Sequence, residues 1–245
     1  MKDTFQSGKK KRKWNAPESL FFIFLVLITG YVFLRSPLFE IQRVVVRGNQ
    51  YLVEDNVRNA ADIGLGVNIF KINLAAAADR LKTVPMIKEA RVTRVLPSTV
   101  LITVTERRPL GLLPAGNGFF EVDEEGICLQ QTGSGVPGVP IITGVQVDVV
   151  KPGEIVETEL LADVLMMISG LPDEVVNQLS EVHIDPDGQI KAYTLDRIKC
   201  RLGEAVEVRE KGVVLARILQ ELQKQGAKVD YIDISSSGKP VVKYY

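Results

Sequence analysis

The first hydrophobic pattern in the chain has no period. Residues 20–34 read LFFIFLVLITGYVFL, fifteen positions without a charge or a proline. A run with no polar side predicts a membrane segment rather than an amphipathic helix. Crossing the hydrocarbon core takes about 20 residues, so the run is extended back through Ala16 and Pro17, with Trp14 at headgroup level. That gives a transmembrane helix over 15–34, anchored by Leu20, Phe21, Phe22, Ile23, Phe24, Leu25, Val26, Leu27, Ile28, Tyr31, Val32, Phe33 and Leu34. Arg35-Ser36-Pro37 follows without the small-x-small pattern of a cleavage site, which favours an uncleaved anchor over a signal peptide.

Beyond the run the pattern becomes periodic. IQRVVVRGN, from Ile41, is a β-branched strand closed by a Gly48-Asn49 turn. Val53, Val57, Ala60 and Ala61 recur at three to four, a short helix expected to end through the glycines of Ile63-Gly64-Leu65-Gly66. Asn73 is placed to cap a second helix with the stripe Leu74, Ala77, Ala78, Leu81 and Val84, which Pro85 stops. Residues 87–96 and 99–106 read as two strands around Pro97-Ser98, the second alternating Val100, Ile102 and Val104 against Leu101, Thr103 and Thr105. The order β-α-α-β-β over 36–108 predicts a small α+β domain, three strands with two helices on one face.

From Pro109 the texture is rich in glycine and proline, and short strands alternate with turn signals. Asp123-Glu124-Glu125-Gly126 separates FFEV from ICLQ, and Asp185-Pro186-Asp187-Gly188 separates EVHI from QIKAYTL; both read as hairpins. Helical periods occupy 159–169 and 208–225, the second followed by Gly226 at C′. Two last strand runs, VDYIDI and PVVKYY, are joined through 235–238. Residues 109–245 therefore form a second, β-rich α+β domain, and the fold class is α+β behind a single N-terminal transmembrane helix.

Charge gives this layout a direction. The chain is formally neutral, yet residues 1–18 hold six Lys or Arg against Asp3 and Glu18, a local +4 that the remainder balances. Phosphate binding needs a basic face on the folded part, so a nucleic-acid partner is excluded. The positive-inside bias keeps residues 1–14 as a cytoplasmic tail and sends everything beyond Arg35 across the membrane. Lys9, Lys10, Lys11, Arg12 and Lys13 would face anionic lipid, at ~1 kcal/mol each at most. With 46% apolar and 24% charged residues, collagen-like and disordered classes are excluded.

Candidate chemistry is sparse. Cys128 and Cys200 each lie in an apolar strand-like run and read as buried thiols, although an oxidising exterior also permits a bridge. The single histidine, His183, with Cys200 and Arg201 or Arg209 would be the minimum for a membrane-anchored cysteine transpeptidase of the sortase kind. The approach Asp196-Arg197-Ile198-Lys199 to Cys200 lacks the threonines such an enzyme places there, so His183 reads as a surface or cross-strand partner. Asp185, Asp187 and Gly188 have the start of a calcium loop without its later carboxylates, which leaves a hairpin turn. With no zinc spacing, nucleophile elbow, phosphate loop or dinucleotide fingerprint, no catalytic, metal or cofactor residues are expected and the function is binding.

One ordered series of segments carries more information. The basic tail, the single anchor, Ser36-Pro37-Leu38-Phe39, IQRVVVRGN and IKEARVTRVLPSTVLITVTERRP come first. FFEVDEEGICL, VPIITG, DGQIKAYTL, RLGE, Glu210-Lys211 and YIDISSSGKPVVKYY follow in order. Together they resemble the bacterial FtsQ/DivIB cell division family over nearly the whole part beyond the anchor. The resemblance implies a POTRA domain over 36–108 and the family's β domain over 109–245. It implies a non-enzymatic scaffold of the septum machinery in the cytoplasmic membrane, binding the single-span division proteins FtsL and FtsB or DivIC outside the cell. It also places the partner contact on the terminal hairpin: Ser235, Ser236, Ser237, Gly238, Val241, Val242, Lys243 and Tyr244.

The residues of that hairpin suit an edge strand. Pro240 gives up a ladder donor, Lys239 and Lys243 discourage indiscriminate pairing, and Val242 and Tyr244 share a face that can pack inward, with the Tyr244 ring either buried there or exposed to a partner. Two features depart from longer relatives: the tail before the anchor is brief, and nothing extends past Tyr245. The other reading of a POTRA domain, an assembly or secretion protein, would call for a β-barrel with lipid-facing alternation, which the sequence lacks.

Overall fold

The computed structural model describes residues 16–147, 150–236 and 239–244. The basic tail, Trp14, Ser237 and Gly238 lie outside the described residues.

The unbroken apolar run forms helix α1 (Ala16–Leu34), its side chains from Leu20 to Leu34 exposed all round. Among the described residues no helix is long and apolar enough to cross a membrane.

The first folded unit is a three-stranded sheet in the order β1 (Arg43–Arg47), β3 (Thr99–Glu106), β2 (Ile87–Val95). β1 runs parallel to β3 and β2 antiparallel to it. Val100, Ile102 and Val104 all point into a core shared with Val57, Ala61, Ala77 and Leu81 of helices α2 (Glu54–Ala61) and α3 (Leu74–Lys82). Asn73 caps α3, its Oδ1 accepting from the Ala76 N–H at 3.1 Å. Helix α2 stops earlier than its glycines suggested. Asp62 takes the left-handed conformation at φ 50° with its N–H on the Asn59 carbonyl, a position a short polar side chain tolerates.

The second unit is one nine-stranded sheet. Its strands in chain order are β4 (Gly111–Ala115), β5 (Gly118–Val122), β6 (Cys128–Thr132), β7 (Ile141–Thr143), β8 (Leu179–Ile184), β9 (Ile190–Thr194), β10 (Lys199–Gly203), β11 (Val229–Asp233) and β12 (Val241–Tyr244). In space the order is β12-β11-β10-β9-β8-β7-β4-β5-β6. Both expected hairpins are present, β5 with β6 and β8 with β9. Helices α4 (Glu159–Gly170) and α6 (Val208–Gln225) bury Leu161, Val164, Leu165, Leu215, Leu219 and Leu222 in the core that also takes Val182, Ala192, Cys200 and Ile232. Gly226 ends α6 at φ 61°, where a side chain would be strained. A short helix α5 (Asp173–Val176) was not foreseen from the periodicity; four residues hold too little of a period to be read.

The two units meet through ions. Arg107, just past β3, bridges to Asp123 and Glu125 (2.7 Å) in the β5–β6 turn, and Lys88 of β2 bridges to Glu124 (2.7 Å) and Glu125 (2.9 Å). The Arg107 and Asp123 side chains are only 13% and 3% exposed. Asp123 also accepts the turn N–H groups of Glu125 and Ile127, so one carboxylate closes the hairpin and receives the arginine. Glu125 is held well below the usual carboxylate range, chiefly by its hydrogen bond from Arg107 and then by Lys88.

Candidate partner-binding edge

Strand β12 is an end member of the nine-stranded sheet, paired antiparallel to β11 alone. The register is Asp233↔Val241, Ile232↔Val242, Tyr231↔Lys243 and Val229↔Tyr244, with a bulge at Asp230. On the other side of β11, the Ile234 N–H donates to the Arg201 carbonyl of the parallel strand β10 at 2.9 Å. Backbone groups alternate along a strand, so Ile232 and Ile234 turn theirs toward β10, and Tyr231 and Asp233 turn theirs toward β12. Val241 and Lys243, opposite Tyr231 and Asp233, therefore use their backbone groups inward. The N–H and C=O of Val242 face away from the sheet, where no strand among the described residues receives them. Pro240 occupies the preceding outward position and has no N–H to offer.

Side chains alternate the other way. Val242 is half-buried and packs on the core, while Val241 and Tyr244 are 53% and 55% exposed. Of the two alternatives for Tyr244, the structure has the exposed ring. Its partner Val229 is the first residue of β11, beyond the bulge, and the sheet runs out before the ring can be covered.

The outer face around Lys243 is polar and ordered, a feature the sequence reading missed. Lys243 Nζ bridges to Asp230 at 2.9 Å and lies 5.6 Å from the Tyr231 ring centroid; Arg201 sits over the same ring at 4.7 Å. The hydrogen bond that the Lys243 ammonium donates to Asp230 leads in raising its pKa above the ordinary range. The bulge brings Asp230 within reach of Lys243, and period-two counting cannot foresee a bulge.

The turn into β12 is held locally. The Ser235 hydroxyl and N–H donate to Asp233 Oδ1 at 2.7 and 3.1 Å, and Arg201 approaches Oδ2 at 3.5 Å. Partial burial works against ionisation of Asp233, yet these donors outweigh it and keep its carboxyl below the usual range. Gly203 lets the turn close, because at φ 75° a Cβ there would stand 2.7 Å from the Ser235 carbonyl oxygen. Ser236 instead lines a cleft of about 350 Å³ with Glu207, Glu210, Lys211, Val214, Ile234 and Pro240. Ser235, Ser236 and the residues of β12 are thus brought to one rim.

Comparison with known proteins places the chain. The model of the FtsQ-type POTRA domain matches residues 39–107, and that of the FtsQ/DivIB C-terminal domain matches residues 111–235, half of the chain. The chain belongs to the FtsQ/DivIB family of bacterial cell division proteins. It is 26% identical over 254 residues to the cell division protein DivIB of Clostridium botulinum, covering 98% of this chain and 95% of that protein. To the cell division protein FtsQ of Mycobacteroides abscessus it is 26% identical over 227 residues, 91% of this chain and 69% of that protein. The solved extracytoplasmic domain of DivIB from Geobacillus stearothermophilus, in its trans isomer, aligns at 18% identity over 49% of this chain and 97% of that one, TM-score 0.38.

In this FtsQ/DivIB chain the alternative catalytic set falls apart. His183 is aligned across β9 Lys191 with Arg201, whereas Cys200 is aligned with Ala192 and the buried Val182, so histidine and thiol lie on opposite faces of the sheet. Burial pushes the Cys200 thiol up to about 12, far from a nucleophilic thiolate. His183 Nδ1 lies 2.8 Å from Thr143 Oγ1 and Nε2 lies 3.2 Å from Asp185, a cross-strand partner as read from the sequence. Asp185 is also bridged to Lys191, which leads in holding its carboxyl below the usual range. The open question of a disulfide resolves to two free, buried thiols. They stand six strand spacings apart, about 29 Å, and cannot bond.

Proposed function

We propose that this FtsQ/DivIB protein is a non-enzymatic, single-pass scaffold of the septum machinery that binds other single-span division proteins, of the FtsL and FtsB or DivIC type, outside the cytoplasm. Its contact is strand addition at β12, through Val241, Val242, Lys243 and Tyr244 with the turn of Ser235, Ser236, Ser237 and Gly238. One observation carries this reading: β12 ends its sheet with the backbone groups of Val242 turned outward and Tyr244 exposed beside them. An incoming segment with about five backbone hydrogen bonds at a net ~1 kcal/mol each, plus side-chain contacts, reaches useful affinity without any reacting group.

Helix α1 is the anchor in this reading, with residues 1–14 in the cytoplasm and residues 36–108 and 109–245 as the two exported units. Its apolar surface all round is what a lipid-facing helix presents, and Lys9, Lys10, Lys11, Arg12 and Lys13 lie on the anionic cytoplasmic leaflet.

Photocrosslinking in the intact cell tests the contact. A photoreactive residue at Val241 or Tyr244 should give adducts with single-span division proteins, and one at the exposed Gln131 of β6 should not. Equal adducts from both edges, or none from β12, remove the terminal hairpin from the interface. A reporter active only outside the cytoplasm, fused at the C-terminus, checks the topology independently.

A further inference from the structure

Helix α1 does not run into a free linker. The Asn68 side-chain amide donates to the Leu34 carbonyl at 2.7 Å, satisfying one of the last-turn acceptors. The buried Phe39 packs edge-on to Phe33, centroids 5.4 Å apart, and tilted against Phe70 at 5.3 Å. The loop before α3 is then stitched to the chain that leaves the helix. The N–H of Ile41 donates to the Val67 carbonyl, that of Gly66 to the Ile41 carbonyl and that of Ile69 to the Phe39 carbonyl, at 2.9, 2.9 and 2.8 Å.

On this fixed backbone stand four apolar side chains that the core does not take. Leu38, Leu65, Val67 and Phe70 are 50%, 65%, 42% and 42% exposed, while Phe39 and Ile69 between them are buried. Loops ordinarily expose polar residues, and an apolar group held by main-chain hydrogen bonds is a built surface. Exposed cations flank it in the chain: Arg35, over the Tyr31 ring at 4.5 Å, and Lys71.

We infer that Leu38, Leu65, Val67 and Phe70 form a collar that rests in the headgroup region of the lipid surface entered by α1, docking the first unit on the membrane. The inference rests on the anchor reading above. Continuity identifies the occupant, because the collar is bonded and stacked onto the last turn of α1, the one helix among the described residues whose surface is apolar all round from Leu20 to Leu34. Tyr31, Arg35 and Lys71 have the aromatic and cationic character favoured at that depth. A protein occupant is the poorer match, since four side chains fall far short of the roughly 800 Å² per partner of a standard interface. Docking at the collar, added to the tether, restricts the tilt of the first unit. Through Arg107–Asp123 it then sets the direction in which the nine-stranded sheet projects.

The test uses the full chain in vesicles of phosphatidylethanolamine and phosphatidylglycerol carrying brominated acyl chains. The single tryptophan is removed by Trp14→Phe, and one tryptophan is introduced at a time: Leu65→Trp in the collar, Phe24→Trp in α1 and Leu195→Trp on the exposed surface of the far unit. Leu65→Trp should show blue-shifted emission and be quenched several-fold more by shallow bromines than by deep ones. Phe24→Trp should be quenched by deep bromines and Leu195→Trp by neither. If Phe24→Trp is quenched while Leu65→Trp behaves like Leu195→Trp, the collar is overturned and the anchor stands. A blue-shifted Leu65→Trp without quenching means a protein covers the collar, and also overturns the proposal. If Phe24→Trp escapes quenching, the anchor reading itself has failed.

Discussion

The two ends of the nine-stranded sheet are finished differently. At the β6 end the start of the edge is strapped. The Cys128 N–H donates to the Glu154 carbonyl and its carbonyl accepts from Gly153, Val156 donates to Gly126, and Ile127 bridges to Ile155. The neighbouring turn is clamped by Arg107 and Lys88 of the first unit. At the β12 end there is neither strap nor clamp among the described residues, and the last strand is four residues long, exposed and led by proline. An unprotected edge is an aggregation liability, and an edge with no strap opposite one strapped at its start fits the strand addition proposed above. The ionic clamp at one end also fixes the direction in which the other end points.

The strongest way to break this comparison is a pair of prolines. Val242→Pro removes an outward N–H and should reduce partner binding by more than about tenfold with the melting temperature nearly kept. Lys243→Pro removes an N–H that pairs with β11 and should lower the melting temperature by detaching β12. Affinity and melting scans of both decide it; unimpaired binding in Val242→Pro would show that β12 does not recruit a strand.

Next comes the strapped end. Arg107→Ala leaves the nearly buried Asp123 carboxylate without its cation and should cost about 2–3 kcal/mol of stability. Partner affinity in an isolated binding assay should be unchanged, because β12 lies at the far side of the sheet; a matching loss of affinity would mean the two ends are coupled. Chemical denaturation with parallel titration of the partner reads both.

Tyr244→Ala sharpens the open end. The ring is 55% exposed, so truncation should leave the stability within about 0.5 kcal/mol of the parent, yet cost about 2 kcal/mol of affinity as an interface anchor. Calorimetric titration separates the two. Loss of stability instead would return Tyr244 to the sheet's own packing.

The smallest expected effect is a pH dependence of the β12 turn. Asp233 has its folded-state pKa depressed, so its ionised form stabilises above the ordinary value near pH 3.9, and the contribution is lost as pH falls through the folded value. Asp233→Asn should flatten the melting temperature against pH below about pH 4 and leave it parallel to the parent above. Identical slopes would show that the turn does not depend on that carboxylate.

Local chemistry read from the chain alone covered most of the elements. The Asn73 cap, the inward set Val100, Ile102 and Val104, both hairpins and Gly226 after α6 all follow from short-range periods and turn residues, which act within a few positions. The resemblance to the FtsQ/DivIB family was legible for the same reason, as a series of such local pieces in order. What only the tertiary structure decided is how strands distant in sequence pair. The parallel neighbours β4, β7 and β8 join into one sheet, Cys128 and Cys200 stand at strands that cannot meet, and Arg107 reaches the Asp123 turn. The exposure of Tyr244 stayed open in the sequence because alternation specifies a face and says nothing of whether a neighbour covers it. Which strand ends the sheet is a property of the whole assembly of strands. The chain marked β12 as suited to an edge, and the packing of the other eight strands left its outer side open.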